Sequence, residues 1–272
     1  MTIRVRAPAT TANLGPGFDC AAVALDLWNE VEVSPGGPAP DPEHLAVRAF
    51  GLLAPVAGRG FAFTDRIPRE RGLGSSAATV ALGLVAGALA AGREPDPEEL
   101  LALGIPLEGH ADNLAAALGG GVCLTWEGRI ARIADDVPAE PLAVVPDARV
   151  STRAAREALP NAVPHADATL TAGRAALLGA ALAAGSADLF AAAVEGDRLH
   201  ERYRAANAPL LAELRRRPAG GAIASTLSGS GPTVIVWAAR GGADACAAEL
   251  AARFPDAEVL PLAVSAAGAG SF

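Results

Sequence analysis

Lysine is absent from this sequence, and so is glutamine: all 22 strongly basic side chains are arginine, and the side-chain amides are five asparagines. The missing lysine has direct chemical consequences. A Walker A loop needs its lysine on the nucleotide phosphates, and the protein-kinase fold needs one on its third strand, so both classes are excluded. Any phosphate site in this chain must be built from backbone amides, helix ends, arginine and metal. Cysteine is scarce as well. Cys20, Cys123 and Cys246 lie far apart with no C-x-x-C spacing, which gives neither a zinc site nor a disulfide framework and fits a reducing, cytoplasmic compartment. Long hydrophobic runs are missing too. The N-terminal stretch MTIRVRAPATTANLG alternates like a strand and lacks a signal-peptide core. The one membrane candidate, Ala77 to Ala91, falls short of the roughly 20 residues needed to span and is interrupted by Gly83 and Gly87. It reads as a buried central helix.

What is present describes a globular protein. The chain has 272 residues, 51% of them hydrophobic and only 19% charged, with 30 glycines and 21 prolines spread throughout rather than gathered in a tail. A net charge of −8 argues against nucleic acid or an anionic membrane as a general partner. Strands and helices alternate: strands at Ile3–Ala7 and Leu27–Val33, a helix over 43–54, a strand at Gly60–Ile67, a helix from Ser75 to near Gly92, and a helix opening at DPEELLALG. GGGVCLTWEGRIARIAD reads as a hairpin turning at Glu127-Gly128, followed by a strand at Leu142–Val145. Residues 167–217 are mostly helical, and strands return at Thr233–Ala238 and Glu258–Val264 around a helix near 242–253. The class is α+β in two lobes, with a boundary near 145–160.

The stretch RERGLGSSAATVALGLVAGALAAG, residues 69–92, is the most informative. Gly72 and Gly74 let the backbone approach a ligand closely, and Ser75 or Ser76 stands where an N-cap belongs. A helix start of this kind offers unpaired N–H groups and the positive end of the dipole to an anion. An ordinary loop capping a core helix would look similar. Two further glycine-rich segments, PATTANLGPGFDCAAVAL (8–25) and STLSGSGPTVIVW (225–237), tip the balance.

Together the three segments resemble the signature motifs of the GHMP kinases. PRERGLGSSAA looks like their phosphate-binding motif, with Pro68, Arg69, Glu70, Arg71, Gly72, Leu73, Gly74, Ser75, Ser76, Ala77 and Ala78 at its positions; SGSGPT, containing Gly229 and Gly231, looks like their third motif. The opening segment, EGHADNLAAALGGGV (108–122), STRAAREALP (151–160) and DRLHERYRAANAPLL (197–211) are most similar to homoserine kinases. The resemblance covers essentially the whole chain. It implies an N-terminal ATP-binding lobe over 1–150 with a left-handed βαβ unit, against the general right-handed rule, and a ferredoxin-like lobe over 151–272. ATP would lie in the cleft between them, with L-homoserine as acceptor, and family members are commonly homodimers.

The same resemblance assigns roles to individual residues. Mg²⁺ would take oxygen ligands from Ser76, or its neighbour Ser75, and from Glu108, which could otherwise be a solvated loop residue. Asp112 is a candidate base or a helix cap, since a loose phosphoryl-transfer transition state can do without a base. Asn113 would orient the acceptor hydroxyl, and His110 is either an acceptor contact or a structural histidine. Asn13 and Asp19 resemble the family's hydroxyl and ammonium contacts, although a turn residue and a helix cap would read alike. Arg156 and Arg204 are the candidate carboxylate clamp, because a guanidinium fork matches a carboxylate bidentately; each could instead be an exposed helix arginine. Three departures stand out: His44 where asparagine is frequent, Cys20-Ala21-Ala22 after Asp19, and Glu201-Arg202 in place of a Gln-Pro pair. A mevalonate-type or sugar kinase would share the nucleotide motifs without needing an ammonium contact, and a non-catalytic sensor on the same fold would be expected to lose Glu108 or the glycine core.

Overall fold

The computed structural model describes residues 1–272, apart from the side chain of Asn207. The first two strands, β1 (Ile3–Asn13) and β2 (Gly17–Pro35), form one long antiparallel pair running from Ile3↔Val33 to Asn13↔Gly17. The first glycine motif is therefore mostly strand. Small and β-branched residues from Thr10 to Ala12 and from Ala21 to Leu25 continue the ladder, and the turn is confined to Leu14, Gly15 and Pro16. There follow α1 (Leu45–Gly51), β3 (Arg59–Thr64), α2 (Ser75–Ala90), α3 (Pro97–Glu108), α4 (Asp112–Gly119) and the hairpin β4 (Val122–Trp126) and β5 (Arg129–Ala134). Glu127 and Gly128 both take positive φ, 49° and 77°, which is the hairpin turn whose twist matches its strands.

The remaining elements are β6 (Glu140–Pro146), α5 (Thr152–Glu157), α6 (His165–Ala184), α7 (Ala187–Val194), α8 (Glu201–Arg204), α9 (Pro209–Arg216), β7 (Ala222–Leu227), β8 (Val234–Ala238), α10 (Ala243–Arg253), β9 (Ala257–Pro261) and β10 (Gly270–Ser271). Two sheets result. The first is six-stranded, in the order β10-β1-β2-β4-β5 with β3 also on β2; the second is four-stranded, in the order β7-β8-β6-β9. All pairings in the second sheet are antiparallel, with helices in the β6–β7 and β8–β9 connections, which is the ferredoxin-like arrangement. Strand β6 lies in the second sheet although it precedes residue 150, and β10 returns to pair with β1 in the first.

The uncharged helix α2 is the centre of the first lobe. Ala77, Ala78 and every residue from Val80 through Ala88 are buried, and the helix packs on α1, α3, α4 and β1. Being apolar on all sides, it could only be a core or a membrane helix. No helix among the described residues is long and apolar enough to cross a membrane. Small side chains let its neighbours come close: a Cβ on Gly83 would lie 2.1 Å from the carbonyl oxygen of Ala46 in α1. In the second lobe, Trp237 of β8 is fully buried, donates its indole N–H to Thr226 Oγ1 at 3.0 Å and meets Phe190 of α7 edge-on.

Gly83→Ala should force α1 and α2 apart and lower unfolding free energy by about 1–3 kcal/mol, the usual cost of overpacking. Chemical denaturation reads this directly, and an unchanged midpoint would show that the two helices are free to separate.

Candidate active site

The three glycine segments are fastened to one another. Gly74 precedes α2 in a left-handed conformation (φ +65°) with no side-chain cap, so Ser75 and Ser76 are the first two helical residues. This corrects the expectation that a serine caps the helix. A capping serine needs extended backbone and aims its own hydroxyl at the first turn, whereas the left-handed turn at Gly74 leaves the N–H groups of Ser75, Ser76 and Ala77 uncapped. They are the orphan donors at the positive end of the helix dipole. Glycine is required at position 74 by the protein itself, since a Cβ there would stand 1.9 Å from Thr10 Oγ1. Gly72 (φ +85°) has the third motif against it: a Cβ would lie 2.3 Å from the Ser228 carbonyl oxygen. Ser228 Oγ donates to the Gly72 carbonyl at 2.6 Å, Thr10 N–H donates to Leu73 O at 3.1 Å, Thr233 N–H to Arg71 O at 3.2 Å, and Gly229 N–H to Ala12 O at 3.2 Å.

Beyond the helix start lies a hollow of about 290 Å³, lined among others by Asn13, Asp19, Ser76, Glu108, Arg156 and Arg204. Two carboxyls line it, Glu108 and Asp112. Glu108 ends α3 and accepts from Ser76 Oγ at 2.6 Å. Burial pushes its pKa up to about 7, against the pull of the Ser76 hydrogen bond and with a smaller push from Asp112. Asp112, at the first position of α4, is buried, and that burial raises its pKa even though the Asn113 N–H donates to its Oδ1 at 2.7 Å. Asn113 Oδ1 accepts from Thr10 Oγ1 at 2.7 Å. No arginine lies within 4.0 Å of Glu108 or Asp112 among the described residues. Nor do three or more His, Cys, Asp or Glu side chains gather in a metal-binding group there.

The same hollow carries charges of both signs, as a zwitterion requires. Asn13 donates from Nδ2 to Gly229 O at 3.0 Å and accepts the Asp19 N–H on Oδ1 at 3.1 Å. Asn13 and Asp19 both take positive φ, which asparagine and aspartate tolerate better than most residues. The Asp19 carboxylate is gripped bidentately by Arg156, at 2.7 and 2.9 Å, and that contact raises the arginine's pKa. Arg156 Nε is buried without a partner among the described residues. Arg204 is 3% exposed. Its contacts are the Gly229 carbonyl at 3.1 Å, His200 Nδ1 at 3.3 Å and the Ala155 carbonyl at 3.4 Å, and burial lowers its pKa. A buried guanidinium with no carboxylate beside it is costly unless an anion completes it.

Other residues of the signature motifs sit elsewhere. Glu70 and Gly229 line the hollow, as does His110. Leu73, Ala77 and Ala78 are fully buried in the core. Pro68, Arg69 and Arg71 face a separate depression with Asp147 and Arg149, and Gly231 packs toward Leu227. Three residues that sequence reading did not single out belong to the site. Thr10 hydrogen-bonds Leu73 and Asn113 and fills the space beside Gly74, Phe18 lies beneath the guanidinium groups of Arg156 and Arg204, and His200 contacts Arg204. Thr10 and Phe18 lay within the first motif and His200 within DRLHERYRAANAPLL, but nothing in their spacing set them apart.

Residues 44–121 match the GHMP kinase N-terminal domain and residues 172–256 the C-terminal domain. The homoserine kinase of Streptomyces coelicolor is 41% identical, with 97% of this chain and 96% of that protein covered. The chain belongs to the homoserine kinase family of GHMP kinases. The homoserine kinase of Clavibacter michiganensis is 40% identical over 92% of this chain and 87% of its own. Among solved structures, the homoserine kinase from Cytophaga hutchinsonii superposes with a TM-score of 0.87 over 100% of this chain and 97% of its own; at 24% identity it speaks for the fold.

His200 gives this family member a pH signature. Burial lowers its pKa to about 4, with Asp197 opposing and Arg204 reinforcing the shift, while an unfolded histidine titrates near 6.5. Between those values the unfolded chain binds the extra proton, so this contribution to stability is complete above about pH 6.5 and is lost as pH falls toward 4. The melting temperature of wild type relative to His200→Asn should therefore decline between pH 7 and 5. A difference independent of pH would mean that the folded ring accepts the proton.

Proposed function

We infer that the protein transfers the γ-phosphate of ATP to the side-chain hydroxyl of L-homoserine, giving O-phospho-L-homoserine, a step of threonine biosynthesis. One observation carries the assignment: an uncapped helix start lines the same hollow as Asp19 and two arginines, one of them buried with no carboxylate partner among the described residues. A mevalonate-type or sugar acceptor has no ammonium for Asp19, and the curated relatives at about 40% identity are homoserine kinases.

The phosphates rest on the N–H groups of Ser75, Ser76 and Ala77, where the dipole and the orphan donors act together. Transfer spreads negative charge over the equatorial oxygens, so positioning and electrostatics supply most of the acceleration. Asn113 presents its amide Nδ2 to the hollow, because Thr10 occupies its oxygen. That donor fixes the acceptor oxygen and takes no proton. Asp112 keeps one carboxyl oxygen free of Asn113's backbone, and in this reading that oxygen receives the hydroxyl proton; the upward shift of its pKa by burial favours its holding that proton.

The paired oxygens of Ser76 and Glu108 at an anion-binding helix start, with no cation beside them among the described residues, fit a divalent ion. Those two residues would hold Mg²⁺, the remaining ligands coming from phosphate oxygens and water. When bound, the ion supplies positive charge against the charge developing on the transferred group. On the acceptor side, Asp19 takes the ammonium, and Arg156 and Arg204 take the carboxylate. The Asp19–Arg156 pair is self-neutralising without substrate, and the zwitterion exchanges one charge-assisted contact for two.

Arg204→Ala and Arg156→Ala should each raise KM for homoserine about tenfold or more, since charge-assisted hydrogen bonds are worth roughly 1.5–3 kcal/mol. KM for ATP should move little in steady-state assays. Equal penalties on both substrates would place the arginines in service of the fold or the nucleotide and would defeat the clamp.

A further inference from the structure

His200 is fully buried just before α8 and contacts two parts of the site. Its Nε2 lies 2.9 Å from the Gly15 carbonyl oxygen. A carbonyl only accepts, so Nε2 carries the hydrogen. The neutral ring then has a lone pair on Nδ1, and Arg204 Nη1, 3.3 Å away, donates to it. Asp197 Oδ2 lies 3.7 Å from Nε2, beyond hydrogen-bond reach, and the Asp197 oxygens accept the backbone N–H groups of Leu199, His200 and Glu201 at 2.8–3.1 Å. Phe18 closes the other side, stacked on the His200 ring at 5.1 Å and 5.2 Å from the Arg204 guanidinium carbon.

Every protein group holding Arg204 is therefore uncharged: one imidazole nitrogen, two carbonyl oxygens and a ring face. Nη2 makes no hydrogen bond to the protein among the described residues, and Arg204 lines the hollow. A carboxylate at position 200 would orient the guanidinium equally well but would neutralise it. A neutral acceptor orients it and leaves the charge for the ligand. We propose that His200 is a positioning residue: its Nδ1, kept a neutral acceptor because Nε2 donates to Gly15, aims Arg204 at the acceptor carboxylate. This rests on Arg204 gripping the carboxylate, as inferred above.

Two substitutions separate the two ends of the ring. Asparagine places an amide oxygen near the position of Nδ1 and can still accept from Arg204; glutamine places an amide nitrogen near Nε2 and can still donate to Gly15. His200→Gln should raise KM for homoserine about tenfold, with kcat and KM for ATP within about twofold of wild type, whereas His200→Asn should stay within about threefold on all three. Equal effects of the two variants on KM for homoserine would overturn the proposal. A measurement on wild type needs no folded variant: ¹⁵N spectra of histidine-labelled protein should show one ring with hydrogen on Nε2 that does not titrate between pH 8 and 6, its Nδ1 resonance moving when homoserine is added. A buried ring with hydrogen on Nδ1, or no response to homoserine, would overturn it. If Arg204→Ala leaves KM for homoserine unchanged, the clamp itself fails; if that variant responds and His200→Gln does not, only the positioning role fails.

Discussion

The contact between Gly72 and Ser228 is the constraint on which the site depends. The Gly72 carbonyl accepts the Ser228 hydroxyl at 2.6 Å, and the space where a Cβ would be is taken by the Ser228 carbonyl. Because Ser228 follows β7 of the second sheet while Gly72 leads into α2 of the first lobe, this one approach fixes the helix start relative to the β7–β8 loop. Gly229 is held in turn by the Ala12 carbonyl and by the side chains of Asn13 and Arg204. The uncapped end of α2 and the residues around Asn13 and Arg204 are thus parts of one hydrogen-bonded unit, so a shift of either would disturb the other. Such precision matters in phosphoryl transfer, where misplacement by an ångström is costly.

Electrostatics in this cleft are arranged by what is left unpaired. Asp112 is buried and Glu108 half-buried, neither with an ion-pair partner among the described residues, and desolvation raises the pKa of both; Arg204 is buried with no carboxylate partner among the described residues. Isolated buried charges of this kind destabilise a fold unless a ligand completes them, and they collect at functional sites for that reason. The absence of lysine fits the pattern. With no ammonium to offer, the proposed phosphate donors are the uncapped N–H groups of the α2 start, and the arginines are left for the acceptor.

Much of this was legible in the sequence, and the parts that were not share a physical cause. The uncharged run after Gly74 predicted a central helix, and Glu127-Gly128 predicted a hairpin, because both depend on local propensity and turn chemistry. Strand β7, AIASTL, has neither period nor bulk and gave no signal; its place is set by the neighbours it pairs with. A serine cap, which the sequence predicts, does not form because the left-handed turn at Gly74 is set by Thr10, a residue 64 positions away in sequence. The same holds for the site. Glu108, Asp112, Asn113, Asp19, Arg156 and Arg204 were named from motif resemblance and are brought to one hollow, while Phe18 and His200 act through ring faces and a tautomer, which no spacing encodes.

The central claim is that opposite charges on one wall select a zwitterion as acceptor. It is tested most directly by wild-type kcat/KM for homoserine beside 3-amino-1-propanol, which lacks the carboxylate, and 4-hydroxybutyrate, which lacks the ammonium. Both analogues retain the reacting hydroxyl. Loss of one charge-assisted contact should cost each roughly one to two decades, with KM for ATP unchanged. Analogues phosphorylated as efficiently as homoserine would contradict the account, since Asp19 and the two arginines would then make no contribution to choosing the substrate.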